Sequence, residues 1–125
     1  MRLLLDTHVF IWAVTADRKL KPADRSFITS AEKVFVSAAS IWEIAIKCRL
    51  GKIDGDANDF ADGIEASGFK ELPVSARHAA AVGTLPLHHT DPFDRLILAQ
   101  AFAEPLHLLT ADSALAAYGG AVTVI

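Results

Sequence analysis

At 125 residues, with 52% hydrophobic and 22% charged side chains, the chain has the length of one domain and enough apolar content to bury a core, which excludes a disordered protein. Its apolar runs are short, Val9–Val14 among the longest, against the ~18 consecutive residues a membrane span requires, so no transmembrane helix is expected. The net charge of −3 excludes a globally basic nucleic-acid binder, yet residues 1–53 hold nine Lys or Arg against five Asp or Glu, and residues 54–125 hold three against ten, so the basic half offers a local phosphate-binding face.

In chain order, Leu3–Leu5 reads as a short buried strand that ends at Asp6, and Val9–Val14 continues as a helix. Asp6 and His8 interrupt the place where a signal peptide needs its apolar core, so the expected compartment is the cytoplasm. Pro22–Ala31 forms a second helix with Pro22 in its first turn, and Val34–Ser37 a second strand. Ser37 or Ser40 caps a helix that runs to about Leu50 and stops at Gly51. That helix is apolar round much of its circumference, which implies deep burial or a protein interface. It also carries the lone cysteine, Cys48, which cannot form an internal disulfide and suits a reducing compartment.

Ala57, Phe60, Ala61 and Ile64 line one face of a helix over Asp56–Ala66. Glu71–Val74 is extended around Pro73, and Ser75 starts a helix through Val82. Asp91-Pro92 opens a strong helix, Pro92–Ala103, halted by Pro105. Leu106–Thr110 is a strand, Asp112–Tyr118 a short helix and Val122–Ile125 a final strand. Strands alternating with helices predict one α/β domain over residues 1–125, a sandwich with a mostly parallel sheet.

In an open parallel sheet the ligand crevice lies beyond the carboxyl ends of the strands. Asp6 follows the first strand, Glu43 lies early in the helix after Val34–Ser37, Asp94 is in the first turn of its helix, and Asp112 follows Leu108-Leu109-Thr110-Ala111, so all four project toward one end of the sheet. Each has a plain structural reading: a strand-end turn for Asp6, a salt-bridge partner for Glu43, an N-cap for Asp112. Asp91, directly before Pro92, is a cap before it is a ligand, and Arg95 is placed to approach a phosphate or pair with a carboxylate. Jointly, carboxylates held together repel one another unless a divalent cation sits among them, and an oxygen-rich set suits Mg²⁺ or Mn²⁺. Phosphodiester hydrolysis is the reaction such a metal serves.

Four segments together resemble the PIN-domain ribonucleases, and among them the VapC-type toxins of bacterial toxin–antitoxin pairs: Leu3-Leu4-Leu5-Asp6-Thr7-His8, Ser40-Ile41-Trp42-Glu43-Ile44-Ala45-Ile46-Lys47, His89-Thr90-Asp91-Pro92-Phe93-Asp94-Arg95-Leu96-Ile97-Leu98-Ala99-Gln100-Ala101, and Leu108-Leu109-Thr110-Ala111-Asp112. The resemblance spans essentially the whole chain. It implies a PIN-like three-layer α/β/α sandwich with a mostly parallel central sheet, and a metal-dependent endoribonuclease that cuts structured RNA, tRNA or rRNA, and is silenced by a cognate VapB-type antitoxin. Carried onto these positions, Asp6, Glu43, Asp94 and Asp112 form the acidic, metal-holding site, Asp6 and Asp94 as the strongest ligands, with Thr110 orienting a carboxylate or water and Asp91 either a cap or an accessory ligand. The apolar helix around Trp42 then fits a homodimer or antitoxin contact. After Asp112 the sequence reads Ser-Ala-Leu where the family pattern has a bulky aromatic, a departure that touches packing.

Rival readings are weaker. Asp54, Asp56, Asn58, Asp62 and Glu65 fall on calcium-loop positions, but Asp59 stands where the loop demands Gly and the segment has a helical apolar face. A phospho-receiver domain needs an acidic pair after its first strand and a Lys near its last, whereas Thr7 follows Asp6 and the final Lys is Lys70. His88, His89 and Asp91 lack the spaced partners of a zinc site and read as loop residues. A non-catalytic PIN-fold interaction module is the remaining alternative. Lys47, Arg49 and Lys52, with Arg18, Lys19 and Lys21, are the expected RNA-backbone contacts.

Overall fold

The computed structural model describes residues 1–125. Leu3, Leu4 and Leu5 lie in strand β1 (Arg2–Leu5) and are fully buried. A strand covered on both faces needs an unbroken apolar run, and pleating sends Leu3 and Leu5 to one side of the sheet and Leu4 to the other. Strands β2 (Lys33–Ser37), β3 (Lys70–Leu72), β4 (His107–Thr110) and β5 (Val122–Val124) complete a five-stranded sheet of order β3-β2-β1-β4-β5. Every neighbouring pair is parallel. The chain leaves β1 toward β2 and β3 on one side and returns to the other with β4 and β5, so the winding reverses between β1 and β4. A crevice at the carboxyl ends of those two strands is the topological place for a ligand.

Helices α1 (Thr7–Val14), α2 (Pro22–Thr29), α3 (Ala38–Arg49) and α4 (Ala57–Ala66) alternate with the first strands, followed by α5 (Ala76–Ala81) and α6 (Pro92–Ala103). Two 3₁₀ turns, Val82–Thr84 and Ser113–Tyr118, complete the set. Val9 and Phe10 of α1, Ile28 of α2, Ile44 of α3 and Ile64 of α4 pack on Leu3, Leu5, Val34, Val36 and Leu109. On the opposite face Ile97, Leu98 and Ala101 of α6 pack with Leu4, Leu72, Leu108 and Leu115. Cutting a fully buried side chain such as Leu98 to Ala costs about 2–5 kcal/mol through lost transfer energy and the cavity left behind.

Boundaries move from the sequence expectation for identifiable reasons. Helix α1 begins at Thr7 rather than Val9 because the Asp6 carboxylate caps it, accepting from Val9 N–H at 2.9 Å. Strand β3 ends at Leu72, short of the expected Val74, where Pro73 removes the next donor. The 113–118 segment is a 3₁₀ turn, and α3 ends as expected before Gly51, at φ +72°. The 54–65 segment is helical from Ala57, in keeping with its apolar face.

Beneath α6 a buried polar chain ties strand to helix: the Ser37 hydroxyl donates to Gln100 Oε1, Gln100 Nε2 donates to Pro73 O at 3.2 Å, and His78 Nε2 pairs with Glu104 at 2.7 Å. Helix α3 buries Ala39, Ser40, Glu43 and Ile44 but leaves Trp42, Ile46 and Leu50, one turn apart, exposed at 60%, 38% and 61%. No helix is long and apolar enough to cross a membrane.

Candidate functional site

Pairing of β1 with β4 runs one residue past the strand, Asp6 N–H donating to Leu109 O at 3.0 Å, and so delivers Asp6 to the reversal point of the sheet. The side chain is buried at 4% exposure, with Oδ1 committed to the α1 cap and Oδ2 accepting from the Thr110 hydroxyl. Thr110 Oγ1 in turn accepts from Asp112 N–H at 3.0 Å, so one hydroxyl at the end of β4 couples the two acids. Asp112 Oδ1 caps the 3₁₀ turn through Ala114 N–H at 3.0 Å.

Asp94 enters from the first turn of α6, its N–H accepted by Asp91 Oδ1 at 3.0 Å. Asp91 thus stands as the N-cap of α6. Asp94 Oδ2 meets His89 Nε2 at 2.8 Å, and the same nitrogen lies 3.6 Å from Asp112 Oδ2. Asp6, Asp94 and Asp112 line one cleft of about 270 Å³ with His8, Trp12 and Ala111. Glu43, in the second turn of α3, is outside that lining; its Oε2 pairs with Lys47 Nζ at 2.7 Å, while its buried Oε1 has no hydrogen-bond partner.

Burial pushes the Asp6 carboxyl up to about 6; the Thr110 hydroxyl, Val9 N–H and His8 pull it down, and the negative Asp94 adds to the rise. Asp94 is raised too, first by burial and then by Asp91 and Glu43, against the opposing pull of His89. Two carboxyls raised by burial and by neighbouring acids, and an orphaned buried oxygen on a third acid, gather more acceptor capacity in one place than the surrounding groups fill. This oxygen-rich set fits a divalent cation of the Mg²⁺ or Mn²⁺ kind, with Asp6, Asp94, Asp112 and Glu43 as the available donors.

Two expectations change. Arg95 reaches neither a carboxylate nor the cleft: its guanidinium donates to the carbonyls of Val82, Leu85, Pro86 and His89 and to the Tyr118 hydroxyl. Leu85, Pro86 and His89 lie in a segment without helix or strand to satisfy their carbonyls, and a five-donor fork serves these and Val82 O at once. Lys47 is held by Glu43 rather than free, whereas Arg49 and Lys52 are exposed. On the cleft side, Lys19 Nζ sits 5.7 Å from the centroid of the Trp12 ring. His89, expected to be an ordinary loop residue, is the group sequence reasoning missed; its nearness to Asp91 in sequence misdirects, since its partners are Asp94 and Asp112.

A family described as PIN domain matches residues 3–121. A search of curated proteins finds no match. Among solved structures, a toxin–antitoxin complex from Klebsiella pneumoniae superposes with a TM-score of 0.69 at 18% identity, over 98% of this chain and 96% of that one. VapBC2 from Rickettsia felis, bound to a DNA fragment from its promoter, gives a TM-score of 0.71 at 14% identity over 100% and 98% of the two chains. Mycobacterium tuberculosis VapC20, described as a sarcin-ricin loop cleaving toxin, gives 0.66 at 16% identity over 94% and 95%. At these identities the likeness is one of fold.

Proposed function

The chain belongs to the PIN domain family, and from that premise we propose that it is a metal-dependent endoribonuclease, the toxin of a VapBC-type toxin–antitoxin pair. The observation that carries this reading is the convergence of Asp6, Asp94 and Asp112 on one cleft at the reversal of a parallel sheet, with Glu43 Oε1 buried and unpartnered beside them. Structural neighbours that are toxins, one of them named for cutting the sarcin-ricin loop, support RNA as the substrate class.

Asp6, Asp94, Asp112 and Glu43 would hold Mg²⁺ or Mn²⁺. When bound, such an ion polarises a phosphoryl oxygen and lowers the pKa of coordinated water. The protein's own contribution is placement. Asp6 is fixed by the Val9 N–H and the Thr110 hydroxyl, so both its oxygens have set directions, and Thr110 holds the Asp112 backbone in the same register. Arg49 and Lys52 at the end of α3, and Lys19 over Trp12 at the cleft, are cations available to phosphates flanking the cut. The exposed Trp42, Ile46 and Leu50 stripe suits a helix of the antitoxin or of a second copy of the chain.

The test is cleavage of total cellular RNA by purified, antitoxin-free protein with Mg²⁺ or Mn²⁺, beside an EDTA control and the Asp6→Asn and Asp94→Asn variants. Discrete fragments that vanish with EDTA and in both variants are the expected result. Intact RNA with folded, metal-loaded protein on several RNA pools would refute the ribonuclease and leave a non-catalytic PIN-fold interaction module.

A further inference from the structure

We propose that His89 is a nitrogen ligand of the metal in this cleft, making the site a mixed nitrogen–oxygen one that takes Mn²⁺ in preference to Mg²⁺. The inference rests on the metal-dependent reading above and specifies the ion it uses. One ligand atom from each of His89, Asp94 and Asp112 lies within 4.8 Å of the others, and His89 Nε2 is 2.8 Å from Asp94 Oδ2 and 3.6 Å from Asp112 Oδ2. Adjacent ligands of one octahedral ion, each bound at about 2.1 Å, stand about 3 Å apart. The nitrogen therefore stands from both oxygens near the spacing of adjacent ligands.

The loop that carries the ring is also anchored. The His89 carbonyl accepts from Arg95 Nη1 at 3.2 Å, and the same guanidinium holds Pro86 O at 3.1 Å and Val82 O at 3.1 Å. Arg95 is the residue after Asp94, so the turn of α6 that carries the carboxylate also fixes the loop that carries the imidazole. Anchoring of this kind places the loop, and with it His89, before the ion arrives. Independently, Glu43 Oε1, buried in a side chain only 4% exposed and close enough to act on Asp94, lacks any hydrogen-bond donor. An oxygen left so has a lone pair open to a partner that is not a protein group.

The choice of ion follows from donor chemistry. Mg²⁺ is hard, binds oxygen and gives up water reluctantly, whereas imidazole nitrogen adds affinity for first-row transition ions, of which Mn²⁺ also accepts carboxylates readily. His8, exposed at the rim of the same cleft, is the other imidazole within reach and serves as the control.

The experiment uses metal-stripped whole chain loaded with Mn²⁺ alone, and pulsed electron paramagnetic resonance to detect nitrogen coupled to the ion. A nitrogen coupling is expected in the unaltered chain, switching isotope when only histidine is ¹⁵N-labelled, which needs no variant to fold. It should vanish in His89→Gln and persist in His8→Gln. Mn²⁺ affinity should fall roughly ten- to a hundredfold in His89→Gln, with Mg²⁺ affinity nearly unchanged. Bound Mn²⁺ without nitrogen coupling, or a coupling lost in His8→Gln but kept in His89→Gln, overturns the ligand while leaving an all-oxygen nuclease site intact. Failure of the unaltered chain to bind either ion overturns both readings.

Discussion

Replacing Asp6 by Asn removes a charge from a position where burial already resists it. The Asp6 carboxyl is raised from 3.8 to about 6, and at 1.36 kcal/mol for each tenfold change the ionised side chain destabilises the metal-free fold by about 3 kcal/mol. Asn keeps an oxygen for the Val9 N–H but cannot use its amide nitrogen to accept from the Thr110 hydroxyl, a loss of about 1 kcal/mol. The net gain is about 2 kcal/mol, or roughly 8 °C in Tm for a chain of this length. The sign depends on pH. Below 3.8 the acid is protonated folded and unfolded alike and the advantage is absent; it grows between 3.8 and about 6, where the unfolded acid has ionised and the native one still holds its proton, and is full above about 6. Thermal unfolding in EDTA from about pH 4 to about pH 8 reads this directly. An Asn variant no more stable than the unaltered chain at the upper end, or a difference flat across the range, would refute the reasoning. Saturating Mn²⁺ should narrow or reverse the difference by stabilising the acid more than the variant.

Thr110→Val leaves Asp6 Oδ2 and the Asp112 N–H without their shared hydroxyl and should cost about 1–3 kcal/mol in urea unfolding, together with weaker Mn²⁺ binding by calorimetry. Arg95→Lys exchanges a fork for a point charge that cannot serve four carbonyls, so hydrogen exchange should quicken over residues 82–89 while β1 stays protected. Arg49→Ala with Lys52→Ala should lower the slope of log affinity for RNA against log salt by about 0.7–0.9 for each phosphate no longer neutralised. An unchanged slope removes both residues from the RNA interface.

Much of the fold is legible in the sequence because its signals are local. Leu3–Leu5 announces a strand buried on both faces, and Asp91-Pro92 fixes the start of α6 to the residue, since a carboxylate cap and a first-turn proline are read without tertiary knowledge. The positions of Asp6, Asp94 and Asp112 follow from the same logic, as acids at strand ends and helix starts. Thr7 escapes a helix assignment because an acid read as a site residue is not also read as a cap, and Asp6 is both. His89 and Arg95 are opaque for a different reason. The partners of His89 lie on other elements and meet it only after the loop folds back, and the acceptors of Arg95 are backbone carbonyls, which every residue has and no sequence pattern marks. The uncovered stripe on α3 is ambiguous in sequence because an apolar helix looks the same whether its neighbour is its own chain or another.

The hydrogen bond from Thr110 to Asp6 spans 104 positions of sequence. Asp6 is synthesised long before the hydroxyl that aims it, and β1 cannot find β4 until residues 107–110 have been made. A nuclease of the kind proposed above, born on a ribosome and surrounded there by RNA, therefore cannot assemble its acidic site before β4 has been made; shorter nascent fragments carry the first acid without the geometry to use it. Topology here acts as a timer, keeping the acids apart until β4 can pair with β1.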